Sequence, residues 1–145
     1  MNAMLTSTHP VAHHVPLTTG LAAVAEARTQ VRAIVRAWQV PVDAYVVALL
    51  TSELVTNAVR NPNAVRNEAD PTVMLDVTCS SSRLRVDVHD TSRAMPAPAD
   101  APADAETGRG LIIVGALADE WGFYATPGGK AVYFTLAFQT GGSAK

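Results

Sequence analysis

Residues 52–61 read SELVTNAVRN. The stretch has the apolar spacing of a helix, yet an acid and an amide fall among its apolar residues. An α-helix advances about 100° per residue, so positions four apart lie only about 40° apart around the axis. Glu53 and Asn57 therefore share one face. On the same wheel Val46 lies between them and Leu50 beside Asn57, while Ser52 and Thr56 fall on the opposite, polar side. The acid and the amide thus sit inside the apolar arc, where burial without partners costs several kcal/mol. Two readings follow. Core backbone groups or Arg60 satisfy the pair, or the helix face is the floor of a ligand pocket, with Asn57 as a metal ligand and Glu53 as a base.

Working outward, Pro41 and Asp43 start this helix and Pro62 stops it after about Asn61. Upstream, Thr18 or Thr19 caps a helix that runs to about Trp38, with Leu21, Val24, Val31, Ile34 and Val35 at helical spacing. VAHHVPL before it begins an edge strand that tolerates Pro16. Downstream, TVMLDVTC and RLRVDVHD are strands joined by SSS, and Leu84, Val86 and Val88 alternate with Arg85, Asp87 and His89. By that alternation His89 faces solvent. Residues 91–107, rich in Pro, Ala and Asp, read as a long loop, the kind often functional in a compact domain. GRGLIIVGALADEWG reads as a helix opening on glycines, and GFYAT, PGG and KAVYFTLAF as a closing hairpin. The order predicts an α+β two-layer sandwich, a mostly antiparallel mixed sheet with helices on one face.

Length and charge bound the function. At 145 residues and 48% apolar, the chain makes one domain with a real core. A net charge of −2 gives no basic field for direct nucleic-acid binding and no polybasic run for a membrane surface. The single cysteine, Cys79, rules out an internal disulfide or a cysteine-rich zinc cage and fits a reduced, cytoplasmic setting. No secretory leader is visible, and no apolar run approaches the ~20 residues of a membrane span. His9, His13 and His14 read as part of a flexible tail over residues 1–14, and residues 139–145 as a C-terminal tail. Trp38 and Trp121 read as core or rim packing, and Arg28 and Arg32 as solvated side chains.

Two further features carry chemistry. Asp90 ends a strand before the turn-like TSRAMP. It is an Asx turn or helix cap, or a buried acceptor for an exocyclic amine such as adenine's. TGRGL, residues 107–111, sets two glycines around Arg109 at a helix start, where free N–H groups and a partial positive charge suit phosphate. It is neither a Walker A loop nor a dinucleotide fingerprint. Taken alone it is equally a plain turn.

Together, these elements resemble the GHKL ATP-binding domain. The succession is a Glu-x-x-x-Asn helix, a strand ending in Asp, a variable loop, a Gly-x-Gly helix and a hairpin. This is the Bergerat fold of type II topoisomerases, a heat-shock chaperone class, histidine kinases and anti-sigma serine kinases. ELVTNAVRN, GRGLIIVGALADEWG and GGKAVYF are most similar to the small bacterial anti-sigma-factor type, over about residues 15–138. The resemblance implies ATP and Mg²⁺ as cofactors, with residues 91–107 as an ATP lid. Asn57 would hold the metal and Glu53 would be the general base. Asp90 would bind the adenine amine, Met95 would line the adenine pocket, and Gly108, Arg109, Gly110 and Leu111 would cradle phosphate. The family's Asp-x-Gly-x-Gly-x-Pro loop reads here with Ser92 and Ala94 at the glycines. Asn61 stands where this branch often has His, and Lys130 replaces a threonine that often follows the hairpin glycine.

The implied function is that of an anti-sigma factor with serine kinase activity toward a STAS-type antagonist. Its partners would be a sigma factor, that antagonist and a second copy of the chain. The alternative is a non-catalytic, nucleotide-dependent interaction switch. A histidine-kinase fragment would need an upstream phosphoacceptor helix pair, for which the length leaves no room.

Overall fold

The computed structural model describes residues 11–17, 20, 22–59, 73–91 and 105–139, the side chains of Val11 and of residues 105–110 excepted. In chain order the elements are β1 (Val11–Pro16), α1 (Ala22–Trp38), α2 (Ala44–Val59), β2 (Val73–Cys79), β3 (Arg83–Asp90), α3 (Ala105–Leu117), β4 (Glu120–Thr126) and β5 (Gly129–Ala137). The strands form one sheet in the order β1-β2-β3-β5-β4. Every pairing is antiparallel, so the mixed sheet expected from sequence is antiparallel throughout the described residues.

The period-2 pattern of β2 and β3 sends Val73, Leu75, Val77, Leu84, Val86 and Val88 to one face. These join Val132 and Phe134 of β5 and the apolar sides of α1, α2 and α3 in a single core. The opposite face carries polar groups. There Asp87 accepts two hydrogen bonds from Arg85, at 2.7 and 2.9 Å, and one from the Tyr124 hydroxyl at 2.8 Å. The Arg85 guanidinium also lies 4.0 Å from the centre of the Tyr133 ring.

Local chemistry starts α2 and ends α1 where the sequence indicated, whereas the helix expected over GRGLIIVGALADEWG stops at Leu117 and its last residues enter β4. The Asp43 carboxylate accepts the Tyr45 amide at 2.8 Å, an N-cap for α2. At the end of α1, Gln39 adopts φ 55°. Its N–H donates to Arg36 O at 3.2 Å and that of Val40 to Val35 O at 3.1 Å. This is the Schellman arrangement, with glutamine in the position that glycine favours.

Three expectations change. The sheet starts at Val11, so the boundary of the presumed tail moves and His13 and His14 lie in β1. The edge strand read from VAHHVPL is present, held at the sheet edge by backbone bonds to β2 alone, and it overlaps the tail expected over residues 1–14. His89 is only partly exposed: its Nε2 lies 3.0 Å from Asp76, which also bonds His14. Finally, α3 starts at Ala105 rather than Gly108 and takes in residues 105–107 of the expected lid. Glycine weakens a helix by only about 1 kcal/mol relative to alanine, so Gly108 and Gly110 do not prevent an earlier start. The possible caps Thr18 and Thr19, Arg60, Asn61, and the loop residues Ser92, Ala94 and Met95 lie outside the described residues.

Candidate nucleotide site

The site begins with α2, which is covered on more than one side. It packs against α1, α3 and the sheet strands β2, β3 and β5. Its buried residues therefore span over half its circumference: Val47, Ala48, Leu50, Thr51, Ser52, Leu54, Val55, Ala58 and Val59. This corrects the helical wheel read from sequence. Ser52 is buried at 8% exposure, and its hydroxyl donates to Leu49 O at 2.8 Å. Glu53 and Asn57, with Val46 between them on the wheel, are half-buried at the margin of the arc rather than inside it. Among the described residues neither side chain has a hydrogen-bonding partner, so core groups do not satisfy the pair.

The direction of α2 orients this pair. Its first residues share an apolar groove with Leu136 and Phe138 near the end of β5. Glu53 and Asn57 lie about two and three turns further along the helix from Val46.

Asp90 and Lys130 are register partners on β3 and β5, and their side chains stand on the core face. The Lys130 Nζ donates to both Asp90 carboxylate oxygens, at 3.0 and 2.8 Å. The lysine side chain is 0% exposed and the aspartate side chain 2%. The two strands are pressed together here. A Cβ on Gly129 would sit 2.0 Å from Asp90 O and 2.7 Å from Thr91 Cα, so only glycine fits. Reading the sequence noted Lys130 as a lost hydroxyl and missed the ion pair. The signal was present in the hairpin register, which sets the residue directly after the PGG turn opposite the last residue of RLRVDVHD.

The early start of α3 alters the glycine-led segment. In a helix only the first four N–H groups lack intrahelical acceptors. Gly108 is fourth in α3, while Arg109, Gly110 and Leu111 follow in the hydrogen-bonded body. Leu111 turns its side chain into the core at 1% exposure. Any anion drawn to the end of this helix would meet the N–H groups of residues 105–108 first. Among the described residues no three His, Cys, Asp or Glu side chains cluster as a metal site.

Among the described residues, three helices lie on one face of a five-stranded antiparallel sheet, an arrangement consistent with the histidine-kinase-like class of ATPase fold. The chain belongs to that family: the pattern of the histidine kinase-like ATPase domain matches residues 17–136. Among solved structures it is similar to the RsbU and RsbW domains of Rv1364c from Mycobacterium tuberculosis, with a TM-score of 0.64 and 18% identity. That match covers 87% of this chain and 32% of the other. The chain thus spans about a third of that neighbour, and at this identity the likeness is one of fold. No curated protein sequence matches the chain. No helix among the described residues is long and apolar enough to cross a membrane.

Proposed function

We propose that the chain is an ATP-binding regulatory protein of the anti-sigma-factor type that phosphorylates a serine on a STAS-type antagonist in the cytoplasm. The observation that carries this reading is the pair on α2. Glu53 and Asn57 are half-buried, one helical turn apart and without partners among the described residues. The donor types fit the cofactor. A carboxamide oxygen suits Mg²⁺, which takes hard oxygen ligands and keeps several waters. A carboxylate within a turn of it suits the acceptance of a hydroxyl proton. The nucleotide, when bound, supplies the phosphoryl group. Asn57 would orient the metal, Glu53 would take the serine proton, and the first N–H groups of α3 would receive phosphate charge.

The base end fits less well. The carboxylate implied for adenine is already engaged by the Lys130 ammonium. This observation favours the second reading, a non-catalytic module whose partner surface responds to nucleotide. Calorimetry with ATP and Mg²⁺ tests the pocket. Asn57→Ala should abolish Mg-dependent binding and leave the fold intact, and unchanged binding would sink the pocket assignment. Incubation with a co-encoded STAS protein then divides the readings. Clear ATP binding and partner capture without phosphoryl transfer would select the switch.

A further inference from the structure

We propose that Lys130 is a built-in occupant of the base-recognition site, its ammonium holding the acceptor positions on Asp90 that an adenine amine would need. The proposal rests on the nucleotide reading above and concerns what sets affinity at that site. An adenine amine and a lysine ammonium are both N–H donors, and a carboxylate accepts from either. In this chain the donor is covalently attached, cross-strand from its acceptor, and bonded to both oxygens at 3.0 and 2.8 Å. Both side chains are sealed from solvent. Gly129 makes the arrangement possible, because the close backbone approach at Asp90 and Thr91 leaves no room for a Cβ.

A nucleotide that used Asp90 would have to separate this pair and leave an ammonium buried without its carboxylate. Removing one member of such a pair is strongly unfavourable, enough to weaken binding about a hundredfold or more. The same pair neutralises the carboxylate and keeps the pocket end folded with no ligand present. The inference is a chain with low intrinsic affinity for adenine nucleotides, set by one residue.

The test compares ADP and ATP binding, each with Mg²⁺, in the parent and in Lys130→Thr. Threonine removes the ammonium and with it the two bonds that Lys130 donates to Asp90. The variant should bind both nucleotides at least about tenfold tighter than the parent, and by the same factor, because a base contact is blind to the γ-phosphate. Equal or weaker binding by a folded Lys130→Thr would overturn the proposal. If the parent still binds well in that case, only the role of Lys130 falls. If neither protein binds, the nucleotide reading falls with it.

Loss of the Lys130 ammonium beside a buried Asp90 can impair folding, so a second comparison holds the acceptor neutral. Asp90→Asn/Lys130→Thr should bind ADP more tightly than Asp90→Asn alone, and no gain would again refute the idea. A measurement on the parent needs no substitution. The sequence has two lysines, Lys130 and Lys145. Acylation followed by peptide mass spectrometry should modify Lys130 far more slowly in the folded protein than in the urea-unfolded chain. Equal rates would mean that its amine is not held on Asp90.

Discussion

Replacing Lys130 with methionine asks what the buried pair contributes to the fold. Methionine keeps most of the apolar stem, so lost packing is small, under about 1.5 kcal/mol. The carboxylate of Asp90 is left with a side chain only 2% exposed, and both bonds from the ammonium are gone. Breaking a buried pair from one side typically costs about 3–5 kcal/mol, because the remaining charge loses its countercharge where water does not replace it. A domain is stable by only about 5–15 kcal/mol, so this is a large share. At roughly 3 °C per kcal/mol for a chain of this size, the melting temperature should fall by about 10–15 °C. Replacing both members is a different matter. Asp90→Asn/Lys130→Met removes both charges and should recover to within about 1–2 kcal/mol of the parent. Urea melts of the four proteins give the coupling directly. A Lys130→Met variant that melts within about 3 °C of the parent, with a coupling below about 1 kcal/mol, would refute the buried pair and the account of affinity built on it.

Gln39→Gly should stabilise the protein by up to about 1 kcal/mol, because the residue sits at φ 55°, which glycine adopts without a Cβ penalty; thermal melts read the gain. Burial, with the hydrogen bond to Asp87 second, pushes Tyr124 up to about 12 from an ordinary 10.0. The folded value lies above the unfolded one, so the contribution is complete below pH about 10 and is lost as pH rises through about 12. The residue is 39% exposed, which limits the effect to under about 1 kcal/mol; Tyr124→Phe should remove the tyrosinate absorbance that develops near that upper pH and flatten the alkaline loss of stability. Glu53→Gln keeps size and shape while removing basicity. It should leave ATP binding unchanged and slow phosphoryl transfer to a serine-bearing antagonist by about 10²–10⁴-fold, and equal transfer would make Glu53 structural.

The elements that were legible from sequence are those whose periodicity has one dominant cause. β3 alternates because one face meets the core, and α1 shows a clean stripe because only one side is covered. The α2 wheel misled because the helix is covered on several sides. A wheel that assumes one buried face puts Ser52 in water, whereas the packing of α1 and α3 around the helix buries it. The same covering moves Glu53 and Asn57 from the arc's interior to its margin. Their spacing was visible in the sequence, but whether the core satisfied them was not, since that depends on neighbours distant in the chain. The start of α3 was hidden for a local reason: glycine signals a boundary by propensity alone, and a cost near 1 kcal/mol is easily outweighed.

A nucleotide has a charged end and an aromatic end, and this chain treats them differently. At the charged end Glu53 and Asn57 stand half-exposed with no partner among the described residues, and the first N–H groups of α3 are free of helical acceptors. Polar groups at such a margin are met by water in the empty protein and remain available to a ligand. At the end proposed for the base the chemistry is reversed: the Asp90 carboxylate accepts two bonds from Lys130 and is sealed from solvent. Stability and affinity draw on the same group there. Every interaction that ties Asp90 to Lys130 strengthens the empty fold and opposes the base. The two ends therefore separate by experiment. On the proposed reading, changes at Asn57 should act on metal and phosphate without unfolding the chain, while changes at Lys130 should move folding and nucleotide affinity in opposite directions.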